Sequence, residues 1–241
     1  MTKAAVFNAV QEPLTIEEID VAEPVDREVL VRTAASGVCH SDLHFIEGLY
    51  PMPNRAILGH EAAGVVEAVG PNVTEVEPGD HVIACLSVFC GQCDYCLTGR
   101  THLCSNRPAR TAEQGPRLSQ DGKMLTQFAS IGSYSEQMLL HENGIVKIDK
   151  DFPFAQAALI GCAAPTPVVT PQPISAACAN GMSSSIFTMP FSCSSIISAY
   201  EATLANCPVG VPLKLSRGGS SAPRAGRLLQ RCVCPVRQRS H

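Results

Sequence analysis

Apolar and polar residues alternate through Arg27–Val38, REVLVRTAASGV, with the period of a strand that buries one face. Residues 62–85, AAGVVEAVGPNVTEVEPGDHVIAC, read as a strand, a loop, a turn at Pro78-Gly79-Asp80 and a second strand. GSYSEQMLLHENGIVKI, residues 132–148, reads as a strand, a turn at Glu142-Asn143-Gly144 and a short return strand. Helical periodicity is weak until DFPFAQAALIGC, where an apolar helix is predicted to begin near Phe154. The prolines of AAPTPVVTPQP, just after Cys162, end that helix, because proline lacks the amide donor and clashes with the preceding turn. The pattern therefore predicts a β-rich domain over 1–162. Residues 163–241 fit no template; they are predicted to be an irregular or disordered tail, basic and low in complexity toward the C-terminus.

Composition changes this picture in one respect. Over all 241 residues the chain is 45% hydrophobic and 17% charged with net charge −4, an ordinary soluble composition. Up to Cys162, however, 11 basic side chains stand against 21 acidic ones, a net −10, and from Ala163 onward 7 stand against 1, a net +6. So abrupt a reversal calls for separate readings of the two parts. The basic tail has no interleaved aromatics, which favours a solvated segment over a nucleic-acid surface. The N-terminus, MTKAAVFNAVQEPLTIEEID, has neither the apolar core of a signal peptide nor a membrane-spanning run. A cytoplasmic protein is expected, in which clustered cysteines stay reduced and bind metal.

Four cysteines lie in FCGQCDYCLTGRTHLC: Cys90, Cys93, Cys96 and Cys104, with the spacing C-x2-C-x2-C-x7-C. Short connections let the sulfurs converge, and four thiolates suit a closed tetrahedral zinc site whose binding energy orders the loop. Ferredoxin-type clusters also open with C-x2-C-x2-C, but continue with a cysteine three residues on and then proline; here the gap is seven and Ser105 follows. A structural zinc lobe over about 88–106 is expected.

A second set of ligand-type residues is dispersed. GVCHSDLH supplies Cys39, His40, Ser41, Asp42 and His44; LGHEAAG supplies His60 and Glu61; LIGC supplies Cys162. Two cysteines and a histidine with one position open are a known catalytic zinc arrangement. These stretches, with PGDHVI and the four-cysteine loop, occur in the order found in zinc-containing medium-chain alcohol dehydrogenases, which the chain resembles from about Ala4 to Cys162. The resemblance implies a β-rich α+β fold with a GroES-like, partly open β-barrel catalytic domain and a zinc lobe. It implies Cys39, His60 and Cys162 as catalytic zinc ligands and Cys90, Cys93, Cys96 and Cys104 as structural zinc ligands. Glu61 corresponds to an acidic residue behind the metal and Asp42 to the carboxylate that orients the ligand histidine. Ser41 corresponds to the hydroxyl beside the alcohol, His44 to the outer end of a proton relay, and His40 to a basic residue facing the cofactor phosphates. The implied reaction interconverts alcohols with aldehydes or ketones by hydride transfer to NAD, with two zinc ions per chain and a homo-oligomer as the usual assembly.

Such a family continues into a Rossmann domain whose G-x-G-x-x-G loop meets the cofactor pyrophosphate. Residues 163–241 contain no glycines in that spacing, so the chain reads as truncated before the Rossmann domain, as a shifted frame or an altered splice would leave it. A non-catalytic zinc-binding fragment of such an enzyme is the alternative reading.

Overall fold

The computed structural model describes residues 1–53 and 55–163 together with a three-residue strand at 188–190. The expected tail at 163–241 lies otherwise outside the described residues. In chain order the elements are β1 (Thr2–Phe7), β2 (Thr15–Val21), β3 (Glu28–Gly37), α1 (His40–Glu47), β4 (Ala56–Ile57), β5 (Ala62–Val69) and β6 (His81–Ala84). They continue with α2 (Asp94–Leu97), β7 (Leu118–Gln120), β8 (Lys123–Met124), β9 (Thr126–Gln127), β10 (Gln137–His141), β11 (Ile145–Ile148), α3 (Phe154–Ala163) and β12 (Thr188–Pro190).

One sheet runs β8-β7-β2-β1-β4-β9 and the other β10-β3-β5-β6-β11, with β12 against the end of β3. A bridge between Ala4 and Ser135 joins them, flanked by Ala5 N donating to Tyr134 O (2.7 Å) and Glu136 N to Lys3 O (2.9 Å). The sheets thus wrap into the partly open β-barrel that the family resemblance implies. Register shifts at Leu30/Val31 and Thr33/Ala35 mark irregularities in the β3–β5 pairing, the kind of bulge that bends a strand and tightens its twist.

Side-chain alternation decides which core each residue enters. Along β6, Val82 and Ala84 join a cluster with Val29, Val31, Ala62, Val66, Met138 and Leu140, whereas Ile83 faces the opposite way. That opposite face is covered by α3, whose Ala157 and Ala158 are fully buried against Ala35, Ala63 and Ile83. The small residues on both sides let the helix lie close to the sheet. A third cluster packs β1 and Ala56–Leu58 against Leu43 and Ile46 of α1.

Two details depart from the sequence reading. The strands at 137–141 and 145–148 form as expected and are separated by a helical turn at Glu142–Gly144. They do not pair with each other: β10 lies against β3 and β11 against β6, at opposite ends of one sheet path. The connection carries the chain across the sheet, from the edge beside β3 to the edge beside β6. Helix α1 has no clear apolar period in the sequence because its buried face is Asp42, Leu43 and Ile46, so a charged residue interrupts the apolar stripe. Its usable signal was at the ends: Asp42 at the third helical position takes the Cys39 amide (3.2 Å), and the helix closes at Gly48.

Candidate metal centres

Between β6 and β7 the chain leaves the barrel to form the cysteine lobe. Cys90 precedes a tight turn at Gly91 (φ 80°), Cys93 and Cys96 flank and enter α2, Gly99 (φ 76°) turns the chain, and Cys104 follows a helical turn at Thr101–Leu103. The four Sγ atoms all lie within 4.8 Å of one another. Cys93 Sγ is 3.5 Å from Cys96 Sγ and 3.9 Å from Cys104 Sγ, and Cys90 Sγ is 3.9 Å from Cys96 Sγ. A tetrahedron of Zn–S bonds of about 2.3 Å requires sulfurs about 3.8 Å apart, so the cage fits zinc. Backbone amides of Cys96 and Ser105 are directed at Cys93 and hold its thiol down to about 6, which favours the thiolate a metal needs.

Two attachments fix the lobe to the barrel. Asn143 Nδ2 donates to Phe89 O (2.8 Å) just before the first cysteine. Beyond the last one, Arg110 and Arg117 both reach Glu28 at the start of β3, at 2.6 and 2.7 Å, with all three side chains largely buried. Burial opposes the charge on Glu28, but the two guanidinium groups outweigh it and keep the carboxyl below its ordinary range.

The second centre is assembled from three distant pieces of chain. Antiparallel pairing of β3 with β5 sets the end of one strand beside the start of the other, and Gly37 N donates to Glu61 O (2.8 Å). This brings Cys39, at the start of α1, to His60 and Glu61, which lead into β5. Helix α3, lying on the same sheet, delivers Cys162 near its C-terminal end. One ligand atom from each of Cys39, His60, Glu61 and Cys162 lies within 4.8 Å of all the others. His60 and Glu61 are only 3% and 1% exposed.

The electrostatics of this group are those of a cation site. Glu61 Oε2 is buried with no hydrogen-bond partner, and such an atom calls for an explanation. Burial, and then the charge of Cys39, push the Glu61 carboxyl up to about 7. The Cys162 thiol and His60 stabilise the Cys39 thiolate and draw its pKa down, while that thiolate pushes Cys162 up. Burial works against a charged His60, yet contacts with Asp42 and Cys39 prevail and raise it to about 10. Two thiols, an imidazole and a carboxylate share too few protons to be jointly comfortable. A divalent cation satisfies them together, and N/S donors suit zinc.

Around these donors the remaining candidates take separate places. Ser41 Oγ donates to Cys39 Sγ (3.2 Å) and lies 3.4 Å from His60 Nε2, so its hydroxyl is beside two members of the donor set. Asp42 Oδ1 faces His60 Nδ1 at 3.4 Å, an ion-pair distance rather than a well-aligned hydrogen bond. His44 lies one turn beyond Ser41; its Nδ1 is buried without a partner, and its ring meets His40 and Tyr50 edge-on at 4.9 and 5.5 Å. His40 is exposed at the start of α1. Tyr134 went unnoticed in the sequence. It is 2% exposed, and its hydroxyl donates to Asp42 Oδ2 (3.2 Å). Burial and the Asp42 charge hold its phenol well above the ordinary range, so it remains a donor. Only its place beside a turn glycine in the stretch GSYSEQ hinted at a fixed role.

Comparison with known proteins agrees with this geometry. A family model described as the alcohol dehydrogenase GroES-like domain matches residues 25–150. An NDMA-dependent alcohol dehydrogenase of Amycolatopsis methanolica is 39% identical over 170 residues, covering 68% of this chain and 46% of that protein. A class-3 alcohol dehydrogenase of Pisum sativum is 39% identical over 175 residues, with 68% and 45% coverage. Among solved structures, an alcohol dehydrogenase zinc-binding domain protein from Burkholderia ambifaria superposes with TM-score 0.61 at 38% identity, covering 67% of this chain and 45% of that one. The benzyl alcohol dehydrogenase of Acinetobacter calcoaceticus gives TM-score 0.60 at 35% identity, with 67% and 44% coverage. The chain spans about half the length of the relatives it matches. Barrel, cysteine lobe, dispersed donor set and the matched family model agree: the chain belongs to the zinc-containing medium-chain alcohol dehydrogenases, whose GroES-like domain it carries.

Proposed function

We propose that the chain works as a zinc-dependent alcohol dehydrogenase-type oxidoreductase, interconverting alcohols with aldehydes or ketones and using NAD as the hydride acceptor. The observation that carries this reading is the convergence of Cys39, His60 and Cys162 with the Ser41 hydroxyl beside two of them. These three would hold a catalytic zinc, with the Glu61 carboxylate beside them, and the four lobe cysteines would hold a structural one. Zinc, when bound, supplies Lewis acidity that lets an alcohol lose its proton near neutral pH. Ser41 accepts that proton through its hydroxyl, and His44, one turn outward, passes it toward solvent. Asp42 keeps His60 in the orientation and tautomer a ligand needs. His40, exposed at the start of α1, would supply a basic group for the phosphates of a bound cofactor.

In this reading residues 1–162 form the catalytic domain and 163–241 a separate basic segment. The free cysteines among the described residues are compatible with a cytoplasmic protein, and a homo-oligomer is the expected assembly. Among the described residues no helix is long and apolar enough to cross a membrane. The sequence of 163–241, which has no glycine-rich phosphate loop, favours a second reading: a zinc-binding fragment without turnover. Zinc-loaded chain is assayed for NAD reduction with short- and medium-chain alcohols, alongside its melting temperature with and without NAD. Turnover with an NAD-dependent rise in melting temperature supports the enzyme, since a ligand that binds only the native state must stabilise it. Zinc at both centres with neither effect supports the fragment.

A further inference from the structure

Tyr134 is the largest fully buried side chain among the described residues, and its position is fixed from both ends of its peptide. Its amide donates to Leu58 O (3.1 Å), and its carbonyl accepts from Ala5 N (2.7 Å). Its ring is pressed against Gly59, where a built Cβ would fall 2.5 Å from ring carbon Cδ1. The phenol oxygen therefore has little freedom, and it is delivered to Asp42 Oδ2 (3.2 Å).

Both oxygens of Asp42 are engaged. Oδ2 accepts from Cys39 N (3.2 Å) and from Tyr134; Oδ1 accepts from Gly59 N (3.0 Å) and faces His60 Nδ1 (3.4 Å). Three hydrogen bonds and one ion-pair contact engage both oxygens and restrict the rotation of the group. Two of them come from Cys39 and from Gly59, the neighbour of His60, so the carboxylate ties two candidate ligands to one point. Tyr134 is the only one of the four that neither belongs to a candidate ligand nor adjoins one.

We infer that Tyr134 is a positioning residue for the dispersed zinc centre, acting on His60 through the Asp42 carboxylate. Without its hydroxyl, one Asp42 lone pair loses its partner inside the protein. The carboxylate then turns, and the imidazole is no longer held with Nε2 toward Cys39. Asp42 makes its contact with the ligand histidine directly, and removal of such a partner costs about 10–100-fold in metal affinity. Tyr134 acts one bond further out, and Tyr134→Phe is expected to cost about three- to tenfold, at or below the foot of that range.

The inference rests on the catalytic-zinc reading, and the test separates the two. The full chain is titrated with Co2+ and then with Zn2+ against a chelator, following the d–d bands of each centre, for the wild type, Tyr134→Phe, Asp42→Asn and the double variant. The wild type is expected to fill both centres. Tyr134→Phe should weaken only the dispersed centre and change its cobalt spectrum, while the cysteine lobe, an internal control for folding, keeps its affinity. In the Asp42→Asn background, Tyr134→Phe should add no further loss. Equal weakening of both centres, an unchanged dispersed centre, or the same cost with and without Asp42 would each overturn the role. A wild-type chain that fills the lobe alone overturns the zinc reading itself and the role with it.

Discussion

The two metal centres are built on opposite principles. The lobe takes all its donors from Cys90 to Cys104, on short loops and one turn of helix, and Cys96 and Cys93 remain half-buried. The dispersed centre gathers Cys39, His60, Glu61 and Cys162 from a helix start, a strand entry and a helix end, with His60 and Glu61 almost entirely buried. A local site needs little from the barrel beyond an anchor, and metal binding itself orders it. A dispersed site needs the barrel to form first and then to hold protonation states that would otherwise conflict. The difference predicts that damage to one centre leaves the other largely unaffected, in both directions.

The strongest way to break this comparison is Cys93→Ser. It is expected to abolish zinc uptake by the lobe, since structural zinc sites are worth about 10–16 kcal/mol of apparent binding energy in small zinc domains. Trypsin should then cut rapidly at Arg100, while cobalt at the dispersed centre keeps its spectrum. Loss of both metals would show that the lobe is part of the barrel's cooperative unit. Glu28→Ala comes next. It leaves Arg110 and Arg117 buried without their carboxylate, and breaking a buried pair in this way costs about 3–5 kcal/mol. Urea denaturation should show that loss, with the lobe's anchoring loosened more than the dispersed centre.

Gly161→Ala tests the other direction. A Cβ there would fall 2.0 Å from Ala84 O, so α3 must move off the sheet and take Cys162 with it. Overpacking of this kind costs about 1–3 kcal/mol. Zinc affinity at the dispersed centre should fall and that of the lobe should not; an unchanged dispersed centre would mean that Cys162 does not bind the metal.

The smallest effect lies outside both centres and calibrates the rest. Burial works against the Glu17 carboxylate, yet hydrogen bonds from Thr15, Asn8 and Gln120 and the Arg55 charge lower it to about 2. A folded pKa below the unfolded one contributes stability above the unfolded value, near 4.3, which is lost as pH falls toward 2. The wild type should exceed Glu17→Gln by about 0.5–1 kcal/mol at pH 6, as exposed pairs do, and the gap should close by pH 2 without change at either centre.

How much was legible follows the same division. Strands β3, β5 and β6 and the start of α3 could be read from alternation and turn residues, because those signals reside in neighbouring residues. The lobe could be read from cysteine spacing for the same reason. Helix α1 could not, since its buried Asp42 stands where an apolar residue would have revealed it. The partners of β10 and β11 could not either: the turn between them suggests a hairpin, and only the free edges that β3 and β6 offer in the folded sheet decide otherwise.

By itself, the sequence determined the strands within 27–38, 62–85 and 132–148 and the four-cysteine lobe, which rest on period and spacing over short stretches, and it carried the motifs by which the chain resembles its family. Tertiary structure decided that residues from Cys39 to Cys162 share one site, that Glu61 Oε2 is buried without a hydrogen-bond partner, and that the Tyr134 phenol ends at Asp42. Those facts depend on sheet closure and on burial. Nothing local specifies either, because both arise only when distant segments exclude water from the same space.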